Sequence, residues 1–346
     1  MSGHRIITDE GGTNRRTFLK QIGGLLAVPA LLQACGSKDP YAHITGQIVG
    51  AAANVGHKIR KDDGVPPPEK WEETDILIVG GGVAGLSAAR WLAKQGITNV
   101  MMTEMADKTG GNAAYGRNYV SAYPWGAHYL PVPDVTNTEL VDFLKDAGVI
   151  TGYKDGLPVY NEYHLCHDPE ERLFINGTWQ EGLVPDFGVP PAEKQQIGRF
   201  FRLIDEWREK KGSDGRYVFS IPVDTSSADE EWRALDKISF ETYLQQNGFT
   251  SPYLLWYLEY GCKDDYGCNL KGTSAWAGLH YFAARRGKGA NANHSTILTW
   301  PEGNGFLSDA LRTQCKAEVR ENWLVHRIHP GADFVEVTGF DVAPGK

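Results

Sequence analysis

The stretch from Thr74 to Glu104, TDILIVGGGVAGLSAARWLAKQGITNVMMTE, constrains this chain more than any other. It reads in unbroken order as strand, glycine turn, helix, strand and terminal acid. Ile76-Leu77-Ile78-Val79 is a short apolar run of the kind that a parallel strand buried on both faces needs. Gly80, Gly82 and Gly85 follow with G-x-G-x-x-G spacing. The first glycine permits the tight turn, the second lets backbone N–H groups approach a diphosphate, and the third lets the helix lie close on the strand. The spacing predicts a helix from Val83 to about Gln95, presenting small Ala84, Ser87, Ala88 and Ala89, with Gly96 as its C-terminal stop. The turn residues Gly81, Val83 and Ala84 place unpaired N–H groups and a partial positive charge where a phosphate would sit. Asn99 to Thr103 is the next predicted strand, and Glu104 at its end is placed to accept from ribose hydroxyls. A glycine triplet alone also occurs in unrelated α/β turns. Here strand, helix and acid all stand where a dinucleotide requires them.

The N-terminus carries a signal of another kind. Asn14-Arg15-Arg16-Thr17-Phe18-Leu19-Lys20 holds two adjacent arginines followed by an apolar pair. The segment from Ile22 to Ala34 contains Gly23, Gly24 and Pro29; it is too short and too weakly apolar to span a bilayer but suits a secretory h-region. With Arg15 and Arg16 the pattern resembles a twin-arginine export signal, a receptor-read address rather than an anchor. Leu32-Gln33-Ala34-Cys35 resembles the lipobox of bacterial lipoproteins, which implies cleavage before Cys35 and a lipid on its sulfur. A plain signal peptide with an incidental cysteine is the alternative. The resemblance implies an exported, periplasmic or cell-envelope lipoprotein that uses the twin-arginine export machinery and meets the membrane only through that lipid. Beyond Cys35, the Lys58 to Asp63 charge cluster and the stiff Gly64-Val65-Pro66-Pro67-Pro68 element read as a tether, with little packing expected before Trp71.

At 346 residues, less the leader, there is room for one large or two ordinary domains. Asp and Glu number 43 against 35 Lys and Arg, a net charge of −8, which argues against a basic nucleic-acid surface. Besides Cys35 the cysteines are Cys166, Cys262, Cys268 and Cys315. Cys262 and Cys268 are near enough in sequence to pair outside the cytoplasm, but a protein folded before export need not be oxidised. No metal-ligand spacing occurs among them, and they read as ordinary thiols.

The glycine motif does not distinguish FAD from NAD. After Glu104 comes Thr109-Gly110-Gly111-Asn112-Ala113. Here the chain resembles the FAD-dependent amine oxidase and phytoene desaturase superfamily, whose members carry a Gly-Gly pair just past the ribose-binding acid. That resemblance implies FAD, with Gly110 and Gly111 passing close to its ribityl-diphosphate region. The superfamily's usual residue after the doublet is arginine, whereas Asn112 stands here; Gly-Gly-Asn looks more like the fumarate reductase and ketosteroid dehydrogenase group. Pro124-Trp125-Gly126-Ala127-His128-Tyr129-Leu130-Pro131 resembles the amine oxidase stretch beside the flavin ring, which implies Trp125 and Gly126 as cofactor neighbours. Trp300 to Leu307, followed by a helix through Arg312, resembles that family's return from substrate domain to FAD domain. The strand from Trp323 to Ile328 resembles the one that holds the adenine through backbone groups, here at Val325. Only one dinucleotide motif is present, so a second nucleotide site is not expected.

Between these segments the sequence follows no Rossmann pattern. Gln195 to Trp207 and Phe240 to Gln246 have helical periodicity, and Asp224 to Glu231 reads as a loop. Arg172 to Pro185 reads as a hairpin around Asn176-Gly177. Trp232, Trp256, Tyr257, Tyr260, Tyr266 and Trp276 read mainly as core, with a substrate lining as the other reading. Tyr260 to Gly267 resembles a loop of the amine oxidase family; its Asp264 and Asp265 are neighbours that more often point apart than cooperate. His128, near the expected ring, is the candidate catalytic side chain, with a structural histidine as the plainer reading. The expected organisation is a leader over 1–34, a tether over 35–73 and a Rossmann half over 74–133, then a substrate domain over 134–298 and a return over 299–346. The fold class is α/β, an FAD/NAD(P)-binding Rossmann-like domain incomplete at its C-terminus, with an inserted mixed α+β substrate domain. The resemblance implies hydride transfer from an organic substrate to flavin, with an electron acceptor left open and a second chain able to complete the FAD domain. A truncated product, or a lipid-anchored protein without catalysis, is the competing expectation.

Overall fold

The structure, a computed structural model, describes residues 41–44, 49, 52–60, 67–167 and 171–343. Arg15, Arg16 and Cys35 lie outside the described residues. Contacts divide the chain into Met1–Val49 and Gly50–Lys346. Of the first unit only a turn at residues 41–44 and Val49 are described; everything below belongs to the second.

The opening motif folds as a βαβ unit: β1 (Ile76–Val79), α1 (Val83–Lys94) and β2 (Val100–Thr103). β1 and β2 are parallel, with Ile76 opposite Val100 and Val79 opposite Thr103. Gly96 ends the helix turn in the left-handed region, at φ 79°, as a C-terminal stop should. A third parallel strand, β11 (Glu318–Arg320), adds to the other edge of β2, so the sheet order is β1-β2-β11. β2 is therefore central, and Met102 is completely buried. β1 does not meet the expectation of burial on both faces: Val79 is 49% exposed. The reason is that one face of the sheet is uncovered there, so Val79 lines an open groove; β1 is also an edge strand among the described residues.

The remaining strands form antiparallel pairs. β3 (Tyr115–Arg117) pairs with β4 (Ala122–Pro124), and β5 (Tyr129–Pro131) pairs far along the chain with β10 (Ile297–Thr299). β6 (Ile150–Lys154) and β7 (Leu157–Tyr160) form a hairpin, as do β12 (Trp323–Pro330) and β13 (Val335–Asp341). The Asn176-Gly177 hairpin stands as expected between β8 (Arg172–Ile175) and β9 (Thr178–Glu181). Its central φ values of 50° and 80° are those that make Asn-Gly the favoured pair in such turns.

Helices α2 (Thr138–Asp146), α3 (Pro191–Arg208), α4 (Phe240–Gln246), α5 (Pro252–Tyr266), α6 (Ala275–Ala283) and α7 (Gly305–Gln314) complete the main elements. Two apolar cores result. One joins Leu86 and Ala89 of α1, Met102 of β2, Phe143 and Leu144 of α2, and Leu307 and Leu311 of α7. The other is helical, built on Phe200, Ile204, Phe240, Leu254, Leu258 and Leu279. Full burial of each such side chain contributes about 1.5–3 kcal/mol. Trp232, Tyr257 and Trp276 belong to the helical core, whereas Trp256 and Tyr260 lie partly exposed and stack on each other.

Two local expectations are corrected. Tyr260 to Gly267 is not a loop but the last turns of α5, closed by Gly267 at φ 63°. Leu254, Leu258, Gly261 and Cys262 all face the core at helical spacing, and that stripe carries the helix through. The Asp224 to Glu231 segment overlaps two short helical turns, Val223–Thr225 and Glu230–Arg233. Cys262 is buried, Cys268 exposed, and no disulfide joins them; burial pushes the Cys262 thiol up to about 11.

Candidate functional site

The glycine turn is built by backbone crowding. A Cβ on Gly85 would stand 2.0 Å from the Gly80 carbonyl oxygen, so helix and turn meet only if that side chain is absent. Gly80 takes φ 102°, and its N–H donates to the Thr103 carbonyl at 2.8 Å, tying the turn to the end of β2. Gly82 caps α1 in extended conformation with no side-chain cap, and Val83 and Ala84 behind it are exposed. The N–H groups of this first helical turn are the ready partner of an anion.

Glu104 is held against the turn. One carboxylate oxygen accepts from the Gly81 N–H at 2.7 Å and the other from the Ala106 N–H at 2.8 Å. Each oxygen keeps a lone pair for a further donor. The second glycine pair lies alongside the first. The Gly110 N–H donates to the Gly81 carbonyl at 2.9 Å, and a Cβ on Gly111 would come within 3.2 Å of the Gly82 Cα. Gly110 and Gly111 take φ 129° and 56°, the left-handed region that favours glycine.

The other predicted segments converge here. The Ala127 N–H donates to the Asn112 carbonyl at 3.0 Å, and a Cβ on Gly126 would lie 2.8 Å from that oxygen. Trp125 is half exposed beside it. Gly303 wedges against Pro124, Ala127 and His128, while the Asn304 N–H donates to the Ala127 carbonyl at 3.0 Å. Val325 sits on β12, whose first residue Trp323 donates its N–H to the Glu104 carbonyl at 2.9 Å. The ladder shifts register between Val325 and Arg327, which frees backbone groups at that point. The donor set of bare N–H groups, glycines without bulk and one anchored acid fits a dinucleotide.

A wide concavity lies elsewhere. A groove of about 2130 Å³ crosses the open face of the sheet, lined by Ile76, Val79, Met101, Trp323, Ile328 and Phe334 among others. It is the uncovered side of β1 and β2 and includes none of the glycine cradle.

A smaller cleft of about 440 Å³ joins the Gly126–Tyr129 segment to the helical core through Ile221, Asp265, His280, Tyr281 and Arg285. His128 is exposed at its rim; its Nδ1 lies 3.1 Å from the Gly126 carbonyl and its ring stands edge-on to Tyr129. Partial burial holds the Asp265 carboxyl above the usual carboxylate range, opposed by Arg285 and reinforced by Asp264. Burial also keeps His280 below its ordinary value, so its neutral ring donates from Nε2 to the Ser220 carbonyl at 2.7 Å. Asp264 and Asp265 are not a working pair: only Asp265 lines the cleft. His280, Tyr281 and Arg285 were not singled out by sequence, because no motif marks them.

With this geometry in view, the relatives are informative. Residues 78–147 match the family described as an NAD(P)-binding Rossmann-like domain. Phenol 2-monooxygenase of Pseudomonas sp. (strain EST1001) is 34% identical over 99 residues, covering 27% of this chain and 13% of the relative. A flavin-containing amine oxidase of Oncorhynchus mykiss is 32% identical over 95 residues, covering 27% of this chain and 16% of the relative. A solved putrescine oxidase bound to putrescine superposes with a TM-score of 0.52 at 18% identity, over 77% of this chain and 54% of that one. The chain thus spans well under two thirds of the proteins it matches. Its fold is like that of the flavin-dependent amine oxidases, and residues 78–147 form a Rossmann-like domain.

Proposed function

We propose that this chain is an amine oxidase-like, FAD-dependent oxidoreductase that takes a hydride from an organic substrate. The observation that carries the reading is the side-by-side placement of Gly80–Gly85 and Gly110–Gly111, with Glu104 pinned between them and the 124–128 segment abutting Asn112. FAD supplies the electron-accepting chemistry when bound. The chain's own residues have simpler tasks. The α1 N-terminus and Gly82 receive the diphosphate, and Glu104 accepts from the adenosine ribose. Gly110, Gly111 and Gly126 leave room for the rest, and Val325 offers backbone groups to the adenine. The cleft beside His128 holds the substrate next to that cradle and limits water. The Gly126 carbonyl can accept only from a protonated Nδ1 of His128, which leaves Nε2 free to accept a hydrogen bond or a proton from the substrate.

The open edge of β1 favours pairing with strands supplied by a second chain. The Arg15, Arg16 and Cys35 patterns support an exported lipoprotein.

The deciding experiment is the visible spectrum of the purified protein after gel filtration. Flavin bands near ~450 nm that stay with the protein support the reading. A monomeric, cooperatively folding but colourless product, unchanged by added FAD, rejects it.

A further inference from the structure

The cleft between the Gly126–Tyr129 segment and the ends of α5 and α6 carries two opposite charges that do not neutralise each other. Asp265 stands at the last turn of α5 and Arg285 just past α6, and both line the cleft. No ion pair joins them among the described residues; the guanidinium acts on the carboxylate only through space. Both also act on the Tyr281 hydroxyl, in opposite senses, and the Arg285 guanidinium lies 5.5 Å from the Tyr281 ring centre. The three groups therefore address one space.

The neighbouring arginine shows what a committed structural guanidinium looks like. Arg286 is buried, donates to the Phe219 carbonyl and the Ser220 hydroxyl, and pairs with Asp134 at 3.3 Å. Among the described residues Arg285 has no such partner, and it is only half-buried. The opposite wall adds aromatic and backbone surface from Tyr129 and Gly126. His280, held neutral by burial, adds no charge.

We infer that this cleft binds a zwitterionic small molecule, its carboxylate on Arg285 and its ammonium on Asp265. A singly charged amine would satisfy Asp265 but meet the Arg285 charge, and a simple carboxylate would meet the reverse. One zwitterion pairs both, and discrimination follows from repulsion as much as from attraction. The volume of about 440 Å³ is within the range of small-ligand sites. The inference rests on the reading of this cleft as the substrate side of a flavin enzyme and names the class of substrate.

The test is calorimetric titration of the full chain with four probes. L-phenylalanine and 6-aminohexanoate are zwitterions of short and long charge spacing; 2-phenylethylamine and 3-phenylpropanoate carry one charge each. At least one zwitterion should bind about tenfold tighter than both singly charged probes, the scale of one charge-assisted hydrogen bond. Asp265→Asn and Arg285→Gln should each abolish that preference while leaving the circular dichroism and the ~450 nm band unchanged. Binding of 2-phenylethylamine as tight as that of either zwitterion, undiminished in Arg285→Gln, would overturn the inference in favour of a plain amine site. Absence of zwitterion binding to flavin-loaded protein sinks the inference alone. Zwitterion binding that needs both charges, in a protein that never holds flavin, sinks the flavin reading alone.

Discussion

Gly85 is the position where one methyl group decides most. Its Cβ would stand 2.0 Å from the Gly80 oxygen, a backbone atom that cannot swing aside. Gly85→Ala should cost about 1–3 kcal/mol through forced separation of α1 from the turn, read as a lower unfolding midpoint and loss of the flavin band. Glu104 offers a second residue-scale test. Glu104→Gln keeps one acceptor oxygen but turns an amide N–H₂ toward either the Gly81 or the Ala106 N–H. The expected cost is about 1–3 kcal/mol from the unsatisfied backbone donor, with weaker FAD retention measured by equilibrium dialysis.

At the scale of elements, Arg90 clamps α1 to its neighbours. It is 5% exposed, and its guanidinium bonds Asp142 at 2.8 Å and Asp146 at 2.5 Å on α2, and the Gln314 side chain at 2.6 Å at the end of α7. The same group lies over the Phe143 ring. Arg90→Ala removes donor and packing together. Because the two carboxylates are themselves partly exposed, the expected loss is about 1–3 kcal/mol rather than the full penalty of a buried pair. Chemical denaturation should show it, and Arg90→Lys should recover only part, since a point charge cannot serve both carboxylates and the glutamine.

For the whole molecule, acid stability follows from three partly buried histidines. Burial lowers the folded-state values of His164, His280 and His294 below the ordinary 6.5. The unfolded chain then binds more protons over that interval, so stability is fully present above about pH 6.5 and declines as pH falls through the folded values. The thermal midpoint should drop as pH falls below about 6.5, and His280→Gln should flatten the decline. A midpoint that rises on acidification over that range contradicts the assignment. Added FAD should raise the midpoint at fixed pH, because a ligand held at 100 times its Kd adds about 2.7 kcal/mol.

The dinucleotide cradle was legible in the chain itself because its requirements are local. Gly80, Gly82, Gly85 and Glu104 belong to one strand–turn–helix–strand unit whose spacing follows from backbone sterics, and Gly110-Gly111 is read within a few residues of it. The hairpin at Asn176-Gly177 and the helix over Phe240–Gln246 were legible for the same reason. What tertiary structure decided is whatever depends on distant partners. Val79 is exposed because nothing among the described residues covers that face of β1, which no alternation of apolar residues within β1 encodes. Tyr260 to Gly267 became helix because Gly261 packs against Tyr281 and Phe282 and Cys262 is buried in the helical core. The cleft joins residues near 126, 265 and 285, more than a hundred positions apart at its extremes, and only packing brings their charges into one space.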